Sequence, residues 1–287
     1  MSDSTQTAHN VSCTVDCQGC DEPHGRCCGH GEELHVHVHV HHHCCSSASV
    51  PAQVELPVIK FGYSGVAVGN PAFPNVMTQV YESSNYGRSG TYKKIRAVET
   101  SDATQDIVNP SFNAAQLKAK YAVLSVGLHL SLFTLADAVK LKDYAALGGV
   151  VILVCDHGLS AGMTNVLQGF GHVGPFVAVT GVGLYTGASS VTESLSNYFG
   201  NSFGVPLVGE ARIVMTAAQL PAGSRVLATL GDHILFWLVG GTMGRVIAMS
   251  DINLTTFNVT GVAVDTDQEK FVNNMMAYVF DQALENA

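Results

Sequence analysis

The chain is poor in charged residues, which make up only 13% of its 287 residues, and it has a single tryptophan. No apolar run approaches the roughly 20 residues of a membrane-spanning helix, so no bilayer span is expected. Lysines and arginines are not clustered and the net charge is −9, which argues against nucleic-acid binding. The first ten residues lack the basic and apolar regions of a secretory signal. The sequence therefore leaves the compartment undefined.

Apolar residues supply 47% of the chain, enough to bury a large core beneath a surface that carries little charge. Such surfaces often contact other subunits, so the favoured partner is another copy of the same chain. Seven of the eight cysteines and nine of the thirteen histidines precede residue 46. Residues 46–51 are typical of a short flexible linker. The sequence thus divides into a Cys/His-rich arm, residues 1–50, and a domain, residues 51–287.

The first part of the arm has short ligand spacings that let one loop enclose a tetrahedral ion. The residues that define these spacings are Cys13, Cys17, Cys20, His24, Cys27, Cys28 and His30. Thiolates and imidazoles at such intervals favour zinc or another transition metal, and nothing in the chain indicates a nucleotide cofactor. In an oxidising compartment the same cysteines could pair as disulfides. Because the arm holds an odd number of cysteines, one of them would then be free or shared with another chain.

The second part of the arm, residues 34–45, alternates histidine with valine from 35 to 41 and continues with two histidines and two cysteines. In a strand this alternation puts the histidines on one face, with neighbours roughly 6.5–7 Å apart, too far to share one ion easily. Strands from several copies could complete the coordination, which predicts an assembly element. The candidate ligands are His35, His37, His39, His41, His43, Cys44 and Cys45. The tract resembles the metal-binding His-x-His needles of trimeric bacteriophage spikes and fibres, and the alternative is a metal buffer without fixed structure.

After the arm, strand-like and helix-like stretches alternate, which predicts an α/β domain with a mostly parallel sheet flanked by helices. Predicted strands cover 57–63, 92–98, 121–126, 150–155, 212–215, 225–230, 233–239 and 245–249, and the strand-rich end indicates an antiparallel C-terminal extension. Predicted helices cover 73–81, 110–119, 135–147, 160–170 and 266–286. Asn109 and Thr134 are the expected N-caps of the second and third helices. The expected apolar face of the third helix consists of Leu135, Ala138, Val139 and Ala146.

Three stretches of the domain carry a resemblance to a known superfamily. They are 121–126, an apolar strand, 143–154, with a double glycine before the next strand, and 244–251, a strand that ends in an aspartate. Their order over about residues 57–285 resembles the class I glutamine amidotransferase-like superfamily, in particular its non-catalytic branches. The resemblance implies an amidotransferase-like, flavodoxin-like α/β fold.

Cys155 is the candidate nucleophile of an enzymatic alternative, because it lies between a predicted strand and helix, where catalytic members of that superfamily carry theirs. His157 is the nearest candidate base. Bulky Leu153 and His157 do not suit a strained nucleophile turn, and the superfamily's His-x-Glu pair has no counterpart. Asp156, His157 and Asp251 follow predicted strands and could line a ligand pocket. Alternatively, Asp156 caps the next helix and Asp251 closes a turn.

These observations favour a structural or assembly protein without enzymatic activity, whose arm binds metal or forms disulfides that link subunits. Two alternatives stay open. A Cys-dependent hydrolase or amidotransferase-like enzyme would use Cys155, whereas a metal buffer or sensor would use the arm, with the domain as a carrier.

Overall fold

The computed structural model describes residues 55–64, 74–127, 132–155, 159–178, 189–209 and 213–285. The predicted arm and its boundary with the domain lie outside these residues. The described strands are β1 (Val58–Ser64), β2 (Ala97–Asp102), β3 (Val123–Gly127), β4 (Val150–Val154), β5 (Val177–Ala178), β6 (Ser189–Val191), β7 (Ile213–Val214), β8 (Arg225–Leu230), β9 (His233–Leu238) and β10 (Val246–Met249). The described α-helices are α1 (Pro74–Tyr81), α2 (Thr104–Val108), α3 (Ala114–Lys120), α4 (Leu135–Ala146), α5 (Ala161–Gly169) and α6 (Asp267–Leu284).

Eight of the described strands form one sheet in the order β2-β1-β3-β4-β10-β9-β8-β6. The first five strands in this order are parallel to their neighbours. From β10 onwards, β9, β8 and β6 pair antiparallel. The predicted α/β class, mostly parallel sheet and antiparallel C-terminal extension are therefore confirmed.

Helices cover both faces of the sheet. On one face, α1 and α6 pack in the same apolar cluster as Phe61 and Ile152. On the other face, α2, α3, α4 and α5 contribute to a second cluster, with Leu124, Val151 and Trp237 of the sheet. Every residue of β3 and β4 is buried, which explains why both strands have continuous apolar sequences instead of an alternating pattern.

Side-chain caps set the beginnings of four of the described helices, α3, α4, α5 and α6. Thr134 starts α4 with a capping box, in which its hydroxyl and the Asp137 carboxylate each accept a backbone N–H, so the predicted cap is confirmed. Thr266 and Glu269 do the same for α6. Ser160 accepts the N–H of Met163 at the start of α5. Each of these caps depends on residues only three apart in sequence, which is why the one at Thr134 could be predicted.

Two local predictions are wrong. The strand expected at 92–98 begins only at Ala97. Tyr92 is instead an anchor of the core, fully buried and donating its hydroxyl to Asp281 at 2.7 Å. Asn109 does not cap the second predicted helix, because it follows the end of α2 and accepts the N–H of Ser111. The helix that follows, α3, is capped by Asn113.

The expected apolar face of α4 is also wrong. Leu135 and Val139 are 52% and 47% exposed, although Ala138 is buried as expected. The helix packs instead through a face that carries Leu141 and Tyr144. The spacing of leucine and valine along a helix does not reveal which side of the helix meets the sheet. In α4 the side that carries Tyr144 buries the larger side-chain volume, and this side packs against the sheet.

Candidate functional site

The carboxyl ends of the parallel strands bring together several residues that are distant in sequence. Open α/β sheets bind ligands at this edge. Val154 and Met249 are partners in the register of β4 and β10, and the N–H of Cys155 donates to the Met249 carbonyl at 2.8 Å. Cys155 follows Val154 and Ser250 follows Met249, so these two residues lie side by side where the paired strands end. Because side chains alternate along a strand, both face the side of the sheet that α4 and α5 cover.

Cys155 is completely buried and belongs to the apolar cluster that includes Met163 and Leu167 of α5. A thiol in this environment packs as a small hydrophobic group and is not open to substrate. The geometry therefore supports the structural role of Cys155. His157, the base of the enzymatic alternative, lies outside the described residues, so that pairing stays a prediction.

His172 is a buried histidine whose ring nitrogens both have partners. The Trp237 indole Nε1–H donates to Nε2 at 2.9 Å, and Nδ1 lies 3.0 Å from the Leu167 carbonyl, so the neutral ring carries its proton on Nδ1. Burial lowers the pKa of His172 to about 4. The hydrogen bond to the Leu167 carbonyl raises the pKa, but by less than burial lowers it. Both ring nitrogens are occupied by these two hydrogen bonds, so His172 cannot serve as a base for Cys155.

Asp251 lies at the end of β10 and is fully buried. Its Oδ1 accepts the N–H of Asn253 at 2.7 Å and caps a short 3-10 helix, Ile252–Thr255. Gly209 passes beside the other carboxylate oxygen so closely that an added Cβ would lie 2.8 Å from Oδ2. The Oδ1 contact is the turn-closing one that the sequence offered for Asp251, and its place in a ligand pocket stays a prediction.

The other predicted site residues lie outside the described residues. These are Asp156, His157 and all the predicted metal ligands between residues 13 and 45. In the part of the chain that the structure describes, no three His, Cys, Asp or Glu side chains are grouped closely enough to hold a metal ion. The predicted zinc site therefore stays a prediction.

Two buried serines are features that the sequence did not indicate. Ser125 in β3 and Ser250 after β10 have no exposed surface, and neither hydroxyl has a hydrogen-bond partner among the described residues. Most buried hydroxyls in folded proteins are paired, because an unpaired one loses its contact with water without replacement. The burial of these two serines depends on which strands pair in the sheet, and a local sequence pattern does not show that pairing.

Ser250→Ala is expected to raise the free energy of unfolding by about 1 kcal/mol, because it removes a buried hydroxyl that makes no bond. Guanidinium denaturation checks this value. Ser160→Ala is the matched control and is expected to cost about 1 kcal/mol, since the Ser160 hydroxyl accepts the N–H of Met163 at 3.1 Å. A loss of stability in Ser250→Ala would mean that the hydroxyl has a partner.

An open pocket of about 350 Å³ lies beside the start of α6. Its lining residues are Pro206, Val208, Asn258, Thr260, Thr266, Asp267 and Gln268. The N–H groups around this helix start already have acceptors in the Glu269 carboxylate and the Thr266 hydroxyl. The N–H groups of Thr260, Thr266 and Glu269 are therefore not available to a ligand in the pocket.

A buried polar network joins α1 to α6. Glu269 has no exposed surface, and its Oε1 accepts Gln79 Nε2 at 2.9 Å and the N–H of Thr260 at 2.8 Å. Its Oε2 accepts the N–H groups of Asp265 at 3.0 Å and Thr266 at 2.8 Å. Asn273 completes the network by donating from its Nδ2 to the side-chain Oε1 of Gln79 at 2.6 Å. The network holds the loop before α6 against α1.

The outer surface of α4 carries a row of exposed apolar side chains, which we call the α4 row. Leu132 is 67% exposed and Leu147 is 52% exposed, and they lie just before and just after the helix. The members of the α4 row are Leu132, Leu135, Val139, Ala146 and Leu147. Exposed Lys142 interrupts the row, but several large exposed apolar side chains near one helix of a folded domain are typical of an interaction site.

Comparisons with known proteins show no family. No family model matches the chain, and no curated protein matches it. Among solved structures, the chain is similar to one described as the mmIFT52 N-terminal domain, with a TM-score of 0.47 and 11% sequence identity. The match covers 77% of this chain and 96% of that one. Separately, none of the helices in the described residues is both long and apolar enough to span a membrane.

Proposed function

We propose that the protein is a non-enzymatic assembly module that joins copies of itself. The observation that carries this proposal is the α4 row, whose leucines and valine are 47–67% exposed. Leaving several large apolar side chains in water costs roughly 1 kcal/mol or more each relative to burial, and subunit contact removes that cost.

The arm supplies the second attachment in this proposal. Its cysteines and histidines bind zinc or another transition metal, or form disulfides, and so link one copy to another. Two attachments between the same copies reinforce each other, because once one forms the other becomes intramolecular. A modest contact between domains and a labile link through the arm therefore suffice for a stable assembly.

We further propose that the domain is a non-catalytic member of the amidotransferase-like superfamily. The parallel strands of this chain lie in the order β2-β1-β3-β4-β10, which is the 2-1-3-4-5 order of one doubly wound class. The buried position of Cys155 supports the non-catalytic assignment.

Native mass spectrometry of the full chain tests the proposed function. We expect oligomers, and we expect deletion of residues 1–50 to weaken their association by roughly 100-fold through loss of the second attachment. Chelator and reductant together should have the same effect on the intact chain as the deletion. A full chain that is monomeric at every concentration, with or without added zinc and under oxidising conditions, would contradict the proposal.

A further inference from the structure

We infer that residues 171–178 form a segment that acid releases: protonation of the His172 ring breaks its hydrogen bond with Trp237, and the segment opens while the rest of the domain stays folded. The inference goes beyond the proposed function and does not depend on it, because it concerns the response of one domain to pH. It gives a role to His172, a buried titratable side chain that the proposed assembly does not use.

The 171–178 segment, which follows α5 and includes β5, is held to the domain by few buried side chains. Of its residues only His172 and Phe176 are buried, whereas Val173 and Val177 are 59% and 57% exposed. Its strand β5 is short and pairs with the equally short β7. A segment with so few buried contacts opens at a lower free energy than the whole domain unfolds.

Hydrogen bonds tie the segment to Gln219 and to Trp237. Val173 donates its N–H to the Gln219 carbonyl at 2.9 Å, and the Gln219 side chain donates to the Pro175 carbonyl at 2.7 Å. Trp237 lies in β9, so the bond from its indole Nε1–H to His172 Nε2, 2.9 Å long, joins the segment to the main sheet. Loss of the Trp237 bond therefore removes a large part of what keeps the segment closed.

Protonation of the His172 ring is incompatible with this bond. An imidazolium ring carries a proton on both nitrogens and accepts no hydrogen bond. Two N–H groups would then face each other across 2.9 Å. His172 is only 3% exposed, so water does not reach a charge on the ring where it lies. The ring therefore binds a proton readily only after the segment has moved away from Trp237.

Among the described residues, no charged group offsets the charge of a protonated His172 ring. The neighbouring elements α5, β5, β7, β10 and the 3-10 helix Ala217–Gln219 have no titratable side chain. The titratable groups on or beside β9, β8 and α4 are Asp232, His233, Arg225, Asp137, Lys140, Lys142, Asp143 and Tyr144. None of them influences the pKa of His172, which burial lowers to about 4 and which the Leu167 hydrogen bond raises by a smaller amount.

The two pKa values of the ring set the size of the effect. The pKa of His172 is about 4 in the closed segment and about 6.5 when the ring is in water. The closed segment is therefore most stable above about pH 6.5 and becomes less stable as the pH falls toward 4, since the open form binds the proton first. Between pH 7 and pH 5 the ratio of open to closed segments should rise roughly 20-fold.

Amide hydrogen exchange of the full chain, measured by NMR at pH 5 and pH 7, tests the inference. The protection factor compares each amide with an unfolded chain at the same pH, which removes the ordinary pH dependence of exchange. The amides of His172 and Val173, which donate to the Leu167 and Gln219 carbonyls, should lose protection by roughly 20-fold from pH 7 to pH 5. At both pH values they should be at least about tenfold less protected than the amide of Val151 in β4.

Low concentrations of guanidinium distinguish opening of the segment from unfolding of the whole domain. Exchange at His172 and Val173 should change little with denaturant, because local opening exposes little surface, whereas exchange at Val151 should rise steeply. The same denaturant dependence at all three amides would show global unfolding and overturn the inference. Protection of His172 and Val173 that is the same at pH 5 and pH 7 would also overturn it.

His172→Gln tests whether this ring is the group that senses pH, since the arm also carries histidines. Glutamine offers an acceptor to Trp237 and a donor to the Leu167 carbonyl but does not titrate, so the protection of Val173 should vary by less than about twofold between pH 5 and pH 7. His233→Gln, at the start of β9, is the matched control and should keep the wild-type change. A His172→Gln protein that keeps that change contradicts the inference.

The NMR titration of the His172 ring in the wild type gives a further measurement that does not require the His172→Gln protein to fold. A midpoint well below pH 6 supports the inference, because it shows that the closed segment excludes the proton. An ordinary midpoint of about 6.5 in the folded chain would overturn it, because the ring would then bind the proton without opening.

Discussion

Glu269→Gln is expected to lower the free energy of unfolding by about 3 kcal/mol, a large fraction of the stability of a typical domain. The carboxylate is fully buried and accepts four hydrogen bonds, three of them from backbone N–H groups. A glutamine replaces one oxygen by an NH₂ group that faces N–H donors. At least one buried donor then loses its acceptor, at a cost of about 1–3 kcal/mol each.

Denaturation midpoints in guanidinium at pH 7 measure this effect, provided that the slope of the transition is unchanged. Glu99→Gln is the control, because the Glu99 side chain is 57% exposed in an ion pair with Lys60. It is expected to change stability by less than about 0.5 kcal/mol. A Glu269→Gln protein within that same margin of the wild type would show that the network does not hold α1 to α6.

Glu269 also makes the free energy of unfolding depend on pH in the acid range. Burial is the largest single influence on the pKa of Glu269 and raises it. Hydrogen bonds to the carboxylate lower the pKa and together outweigh burial, so the net shift is downward; they come from the N–H groups of Thr260, Thr266 and Asp265 and from the Thr266 hydroxyl. The stabilisation is therefore present above the unfolded value of about 4.3 and is lost as the pH falls through the lower folded value. In Glu269→Gln this acid-dependent part should be missing.

Lowering the pH from 7 to 4 is expected to cost the wild-type domain about 3 kcal/mol through His172 alone. Burial lowers the pKa of His172 to about 4 in the folded chain, whereas the unfolded value is about 6.5. The unfolded chain therefore binds the proton first, and stability falls between about pH 6.5 and pH 4. This window lies above that of Glu269, so the two contributions can be separated.

Urea denaturation between pH 4 and pH 7, followed by the fluorescence of Trp237, measures the His172 effect. Trp237 donates to the His172 ring and is the chain's single tryptophan. His172→Phe should be less stable at pH 7, because the indole N–H loses its acceptor, but its stability should vary little over this pH window. His233→Gln, at the start of β9, should keep the wild-type dependence. An unchanged slope in His172→Phe would refute the assignment.

The candidate site was only partly predictable. Cys155 and Asp251 were selected because each follows a strand, and the structure places both at the same edge of the sheet. Their roles depend on neighbours distant in sequence. Ser250 lies beside Cys155 and Gly209 passes close to Asp251, and neither approach could be predicted, because both depend on the pairing of distant segments.

The sequence by itself determined the features that depend on near neighbours. It specified the α/β alternation, the buried strands Val150–Val154 and Val123–Gly127, the cap at Thr134 and the last helix. The composition also changes abruptly near residue 50, where the sequence predicts the boundary between the Cys/His-rich arm and the domain, and this boundary stays a prediction. Apolar runs and caps act over a few residues, so they can be read locally.

Only the tertiary structure decided which surfaces are buried and which are exposed. Leu135 and Val139 look like core residues in the sequence, yet α4 packs through Leu141 and Tyr144 and leaves them in water. Glu269 looks like a surface residue near a helix start, yet it is the buried centre of a network. Both outcomes depend on which elements meet across the sheet, and that pairing is set by the packing of the whole domain.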